Sequence, residues 1–177
     1  MVESRDTFES IQQQIATGDI PGAISSLDSL DPEKRSSVEG LYLSAVCHRY
    51  LRNSALSLEA LDQLQKVAPE YGRGHQERGH LLRDMGRDEG ALQAYRQACA
   101  HNPALIASWR AQLEIYKARG VSTGHGHIAA QVDRLGKLPK PLLASSDMLH
   151  EGRLLKAEQI CRSFMQKNPK NIEGMRI

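Results

Sequence analysis

Histidine and cysteine are the residues here whose types could hold a metal or attack a substrate. His125 and His127 flank Gly126 in the run Ser122-Thr123-Gly124-His125-Gly126-His127. Two imidazoles in a Gly-rich turn could bind a transition metal. No Cys, Asp or Glu stands beside them at a ligand spacing, so the run reads as a flexible turn between helices. His75 and His80 are five residues apart, whereas side chains share a helix face at three or four. They read as groove residues, not ligands. Cys47, Cys99 and Cys161 are odd in number and far apart. They fit small buried hydrophobes in a reducing compartment better than a disulfide framework. No base stands at a helical spacing that would make Cys99 or Cys161 a nucleophile. A Gly-rich phosphate loop followed by Lys and Ser or Thr is also missing from the sequence. The chain is therefore expected to carry no catalytic residue, metal or cofactor of its own.

Composition narrows the class further. Of 177 residues, 40% are hydrophobic, 25% charged and only 5% aromatic, which suits a helical protein packed with Leu and Ala. A formal charge of +2 is too small to imply nucleic acid. No stretch approaches the roughly 20 apolar residues of a membrane helix. The first ten residues are polar and carry acids, unlike a signal peptide. A cytoplasmic protein with no membrane or nucleic-acid partner is expected.

The elements that position these residues follow from a repeat. Gly18, Arg52, Gly86, Gly120 and Gly152 fall 34, 34, 34 and 32 residues apart. Gly tolerates the left-handed conformation that ends a helix. Five residues beyond each stands a small residue, Ala23, Ser57, Ala91 and Ala157, with His125 a misfit in the fourth unit. That is where a second helix approaches the first most closely. Apolar residues then recur at helical spacing, as in Ala91, Leu92, Tyr95, Ala98 and Cys99. Each unit closes near Pro32, Pro69, Pro103, Pro139 or Pro169. The fold class expected is all-α, a solenoid of about five antiparallel helix pairs plus a terminal helix stub. As one continuous domain it divides into a divergent capping pair over 3–37 and units over 38–71, 72–105, 106–137 and 138–171. The start of a further, truncated repeat occupies 172–177. That stub suggests the N-terminal part of a longer protein.

The unit from Gly74 to Pro103 resembles the tetratricopeptide repeat, with Gly79, Gly86, Ala91, Tyr95, Ala98 and Pro103 at that family's marked positions. Trp109 and Tyr116 stand at its two large first-helix positions in the next unit. The resemblance implies a right-handed superhelix that binds or scaffolds other proteins. Residues 90–177 also resemble the repeat region that precedes the catalytic domain of bacterial tetratricopeptide-containing sulfotransferases. Gly152, Arg153, Leu154, Ala157, Glu158, Cys161, Arg162, Asn168, Pro169, Asn171, Gly174 and Arg176 carry it. That resemblance implies 3′-phosphoadenosine 5′-phosphosulfate as cofactor only for a transferase domain outside these residues. The repeats would then recruit its acceptor.

In the repeat family one stripe of each first helix lines a concave groove. Its positions here are Glu39, Tyr42, Val46 and Arg49, then Arg73, Gln76, His80 and Arg83, then Ala107, Arg110, Glu114 and Lys117. Arg49, Arg73, Arg83, Arg110 and Lys117 stand against two acids. An acidic protein or peptide is the expected partner, held by Arg forks and by Tyr42. Tyr42 and Val46 replace the Lys and Asn of the clamp with which some members hold a C-terminal carboxylate, so no such clamp is expected. Tyr42 is the stripe's one aromatic residue, too few to stack single-stranded nucleic acid. Self-association through Ile172, Met175 and Ile177 is the remaining possibility.

Overall fold

A computed structural model describes residues 3–121 and 125–176, with side chains from residue 7 onward. The segment 122–124 of the histidine turn and Ile177 lie outside the described residues. Eleven helices and no strand occur among the described residues. The chain divides into two compact units, Met1–Glu70 and Tyr71–Ile177.

The first unit holds α1 (Glu3–Thr17), α2 (Ile20–Asp28), the one-turn α3 (Pro32–Arg35), α4 (Val38–Tyr50) and α5 (Ser54–Val67). Ile11, Ile20, Ala23, Leu27, Leu43 and Cys47 form its core, with Phe8 and Tyr42 packed against them. Asp19, Asp31 and Ser37 cap α2, α3 and α4 by accepting from backbone N–H groups of the first turn. The last turn of α3 lies across the start of α4, where a Cβ on Gly40 would strike the carbonyl oxygens of Lys34 and Arg35. Only glycine fits there.

The second unit holds α6 (Gly72–Asp84), α7 (Asp88–His101), α8 (Ile106–Ala118), α9 (Gly126–Lys137), α10 (Lys140–His150) and α11 (Leu154–Lys167). Leu82, Ala91, Leu92, Tyr95, Ala111 and Ile115 form a core cluster between α6, α7 and α8. Gly79 lets α6 lie directly on the Tyr95 ring, since a Cβ there would sit 2.5 Å from Cε1.

One device closes the first helix of each pair. Gly18, Arg52, Gly86, Gly120 and Gly152 all adopt positive φ, between 58° and 85°. In each case the next N–H returns to the carbonyl five residues back. Asp19 donates to Gln14, Asn53 to His48, Arg87 to Leu82, Val121 to Tyr116 and Arg153 to Met148. This is the Schellman closure, which satisfies carbonyls that the helix end leaves open. It reverses the chain within two residues, and the second helix folds back along the first. Ala23, Ser57, Ala91 and Ala157 are fully buried at the resulting contact. Ser57 also donates from Oγ to the Ala45 carbonyl at 2.8 Å, tying α5 to α4.

The fourth pair departs from this pattern. After Gly120 the second helix begins only at Gly126, with His125 as its N-cap residue, so Ile128 and Leu135 supply its buried contacts. At the other end, 172–175 is a turn and not a helix. Asn171 Oδ1 accepts from the Gly174 N–H at 2.9 Å, and Gly174 packs against Met165. The segment expected as the start of a further helix is thus a single capped turn laid on α11.

Candidate partner-binding site

The predicted stripe residues lie on α4, α6 and α8. On α4, Glu39 accepts from Gln12 Nε2 of α1 at 2.6 Å. Tyr42 is half-buried and packs against the core of the first unit, and Val46 is buried. Arg49 is half-buried, with its guanidinium 4.8 Å from the Tyr50 ring centroid. Much of this stripe is used inside the first unit, because α1 lies against α4.

On α6 the four positions are drawn into contacts of their own. Gln76 Nε2 lies 3.4 Å from His80 Nε2, and His80 Nδ1 lies 2.8 Å from the Tyr95 hydroxyl. His80 also meets the Tyr95 ring edge-on. It therefore orients a core tyrosine as much as it lines a surface. His75 stacks on His101 with ring centroids 5.3 Å apart. Arg83 reaches across to α8 and pairs with Glu114 at 2.8 Å. The Glu114 carboxylate holds the Arg83 guanidinium above its ordinary pKa.

Arg73 is the most heavily engaged of the predicted cations. Its guanidinium pairs with Asp147 through Nη2 and with Glu151 through Nε, both on or just past α10. Asn102, at the end of α7, donates to Asp147 Oδ1 at 2.7 Å, and Arg153 approaches Glu151 at 3.8 Å. The Glu151 side chain is only 7% exposed and that of Asp147 15%. Burial pushes the Glu151 carboxyl above its usual range, while Arg73 pulls it back. The cation expected to attract a partner is thus the centre of a clasp between the first and last helix pairs of the second unit. The charge excess read from the stripe shrinks accordingly. Arg110 and Lys117 are the stripe cations that stand exposed on α8.

Sequence spacing could not have found this clasp, because Arg73 and Glu151 are 78 residues apart. Among the cysteines, Cys47 and Cys99 are buried and Cys161 is half-buried. Gln112 Nε2 donates to Cys99 Sγ at 3.3 Å, yet burial pushes the thiol up to about 12. Such a thiol is a packing group and not a nucleophile. Among the described residues no cluster of three metal-ligating side chains occurs. No helix of the described chain is long and apolar enough to cross a membrane.

No protein-family model and no curated protein sequence matches the chain. Solved structures do. PilF of Pseudomonas aeruginosa superposes with a TM-score of 0.66 at 16% identity, over 97% of this chain and 80% of that one. A thermophilic TPR protein of Thermus thermophilus gives 0.64 at 20% identity, over 97% and 95%. The fold is that of the tetratricopeptide-repeat proteins. MamA superposes with 0.59 at 17% identity over 76% and 77% of the two chains. At such identities the likeness concerns the tetratricopeptide fold alone.

Proposed function

We propose that this chain is a protein-interaction module whose second unit holds an acidic partner segment along α8. The reading is carried by the exposure of Arg110 and Lys117 on one face of that helix, seven residues and two turns apart. The Arg83–Glu114 pair lies beside them and ties α6 to α8. The receiving surface is then built from helices already fixed to one another, and little ordering cost accompanies binding. An acidic segment would pair first with Arg110 and Lys117, and Arg83 could exchange Glu114 for a partner carboxylate.

The test is a double charge reversal, Arg110→Glu with Lys117→Glu, in the full chain. Both side chains are exposed, so the fold should survive. A native partner captured by the wild type should bind at least tenfold more weakly, and added salt should weaken the wild-type complex. Unchanged capture with a salt-independent complex would refute the reading. Arg73 is unsuitable for this experiment, because its reversal would break the clasp to α10.

A second reading is self-association through the last helix pair. Leu154 and Leu155 at the start of α11 are 61% and 80% exposed, and Ile172 and Met175 beyond it are also exposed. Sedimentation showing a concentration-independent monomer would remove it. The wider context proposed is the repeat arm of a sulfotransferase-type protein in a bacterial cytoplasm. It rests on the resemblance over residues 90–177, with the acidic segment as the acceptor to be sulfated. Reading the gene past Ile177 tests that context, since a transferase domain must follow.

A further inference from the structure

Away from the first-helix stripe, α7, α8 and the start of α9 border a half-open pocket of about 410 Å³. That is within the size range of small-ligand sites, roughly 300–1,000 Å³. Its walls are flat rings. Tyr116 and His125 stack with centroids 3.9 Å apart and planes 13° from parallel. Trp109 forms another wall, and its Nε1 donates to the Pro103 carbonyl at 3.0 Å, which fixes the indole orientation. Among the described residues the lining includes Arg96 and His127 and no acidic side chain. Arg96 donates to the Tyr116 hydroxyl, with its guanidinium carbon 6.0 Å from that ring's centroid. A guanidinium has five N–H donors, so this contact leaves donors for a ligand. His125 Nε2 is shut off from solvent and has no hydrogen-bond partner among the described residues.

These features select one ligand chemistry. The rings favour a planar aromatic group, which stacks on them at little conformational cost. A basic lining without a carboxylate favours an anion on that ring and disfavours a cation. We propose that the cavity binds a small aromatic acid, with its ring between Trp109 and the Tyr116–His125 stack and its carboxylate on Arg96 and His127. The Cys99 thiol is held by Gln112 and takes no part. The site is separate from the Arg110–Lys117 surface and does not depend on it.

Trp109 is the one tryptophan of the chain, so its emission reports the cavity directly. Phenylacetate titrated into the full chain should change that emission saturably. The neutral isostere phenylacetamide should bind about tenfold more weakly or worse. Arg96→Gln should bring the acid down to the level of the amide, and Arg96→Lys should keep part of the preference. Ala100 lines the pocket and is exposed, so Ala100→Phe should block both probes while leaving the helical circular dichroism unchanged. Equal binding of acid and amide by the wild type, no saturable response, or a preference that survives Arg96→Gln would each overturn the proposal.

Discussion

Replacing Arg73 by methionine should cost the second unit about 2 kcal/mol at neutral pH. Methionine keeps an apolar stem of similar length, so the change removes chiefly the charge and its hydrogen bonds. Breaking a fully buried pair by deleting one partner costs about 3–5 kcal/mol, because the other charge is left without compensation. The Arg73 side chain is 36% exposed, Asn102 still donates to Asp147, and Arg153 remains near Glu151. Each of these lowers the penalty, and solvent screening lowers it further. Urea unfolding read at Trp109 follows this unit, and with a slope of about 1–3 kcal/mol per molar the midpoint should fall by about 1 M. The pH dependence carries the sharper test. Burial raises the Glu151 carboxyl above its ordinary value even with Arg73 in place, and the variant should raise it more. A raised folded-state pKa means that the native form binds the proton more tightly than the unfolded form does. The contribution of Glu151 is therefore most favourable below the ordinary carboxylate range and declines as pH climbs through the folded value. In the variant this decline is deeper, so the deficit seen at pH 7 should shrink as pH falls toward about 4–5. A deficit under about 0.5 kcal/mol, or one equal at both pH values, would refute the role given to the clasp.

Two further changes probe the repeat itself. Gly79→Ala would drive a Cβ into Tyr95, which is fully buried and cannot yield, so about 1–3 kcal/mol should be lost in the same Trp109-monitored unfolding. Arg52 holds a left-handed φ of 58° at the turn where the other four pairs use glycine. Arg52→Gly should raise stability by about 1 kcal/mol in thermal melts followed by circular dichroism, and a lower melting temperature would contradict the strain argument.

The fold was legible because it is written in local signals. The spacing of Gly18, Arg52, Gly86, Gly120 and Gly152 marks five helix closures, and all five take the left-handed conformation that the spacing requires. Ala23, Ser57, Ala91 and Ala157 are small because two backbones meet there, and they are buried as that demands. His125 was visible as a misfit, and the late start of α9 at Gly126 is the physical counterpart. What it does in place of packing, stacking on Tyr116, has no local signature. The predicted stripe was less legible. Its positions follow from helix geometry, but whether a cation there is available depends on partners distant in sequence. Arg73 is taken by Asp147 and Glu151, and Arg83 by Glu114. Repeat periodicity tells which side chains share a face, and says nothing about acids brought to that face from another pair.

The same distinction governs the two ends of the second unit. Counted from Gly86 and Gly152, Tyr95, Ala98 and Cys99 of α7 correspond to Cys161, Phe164 and Met165 of α11. The α7 residues are buried, whereas those of α11 are only half-buried. Both helices carry an apolar stripe at helical spacing, so their local sequence does not separate them. The difference is what lies on top. Ala111 and Ile115 of α8 join Tyr95 in one core cluster, whereas over α11 a single turn brings Gly174 against Met165 and within 3.6 Å of Cys161 Sγ. Burial in a repeat protein is set by the neighbouring pair more than by the pair itself. Amide exchange should therefore be slow through α7 and progressively faster through α10 and α11, since opening there exposes little that is now covered. Uniform protection across α6 to α11 would mean that the clasp from Arg73 to Asp147 and Glu151 couples the last pair to the first strongly enough to override the loss of cover.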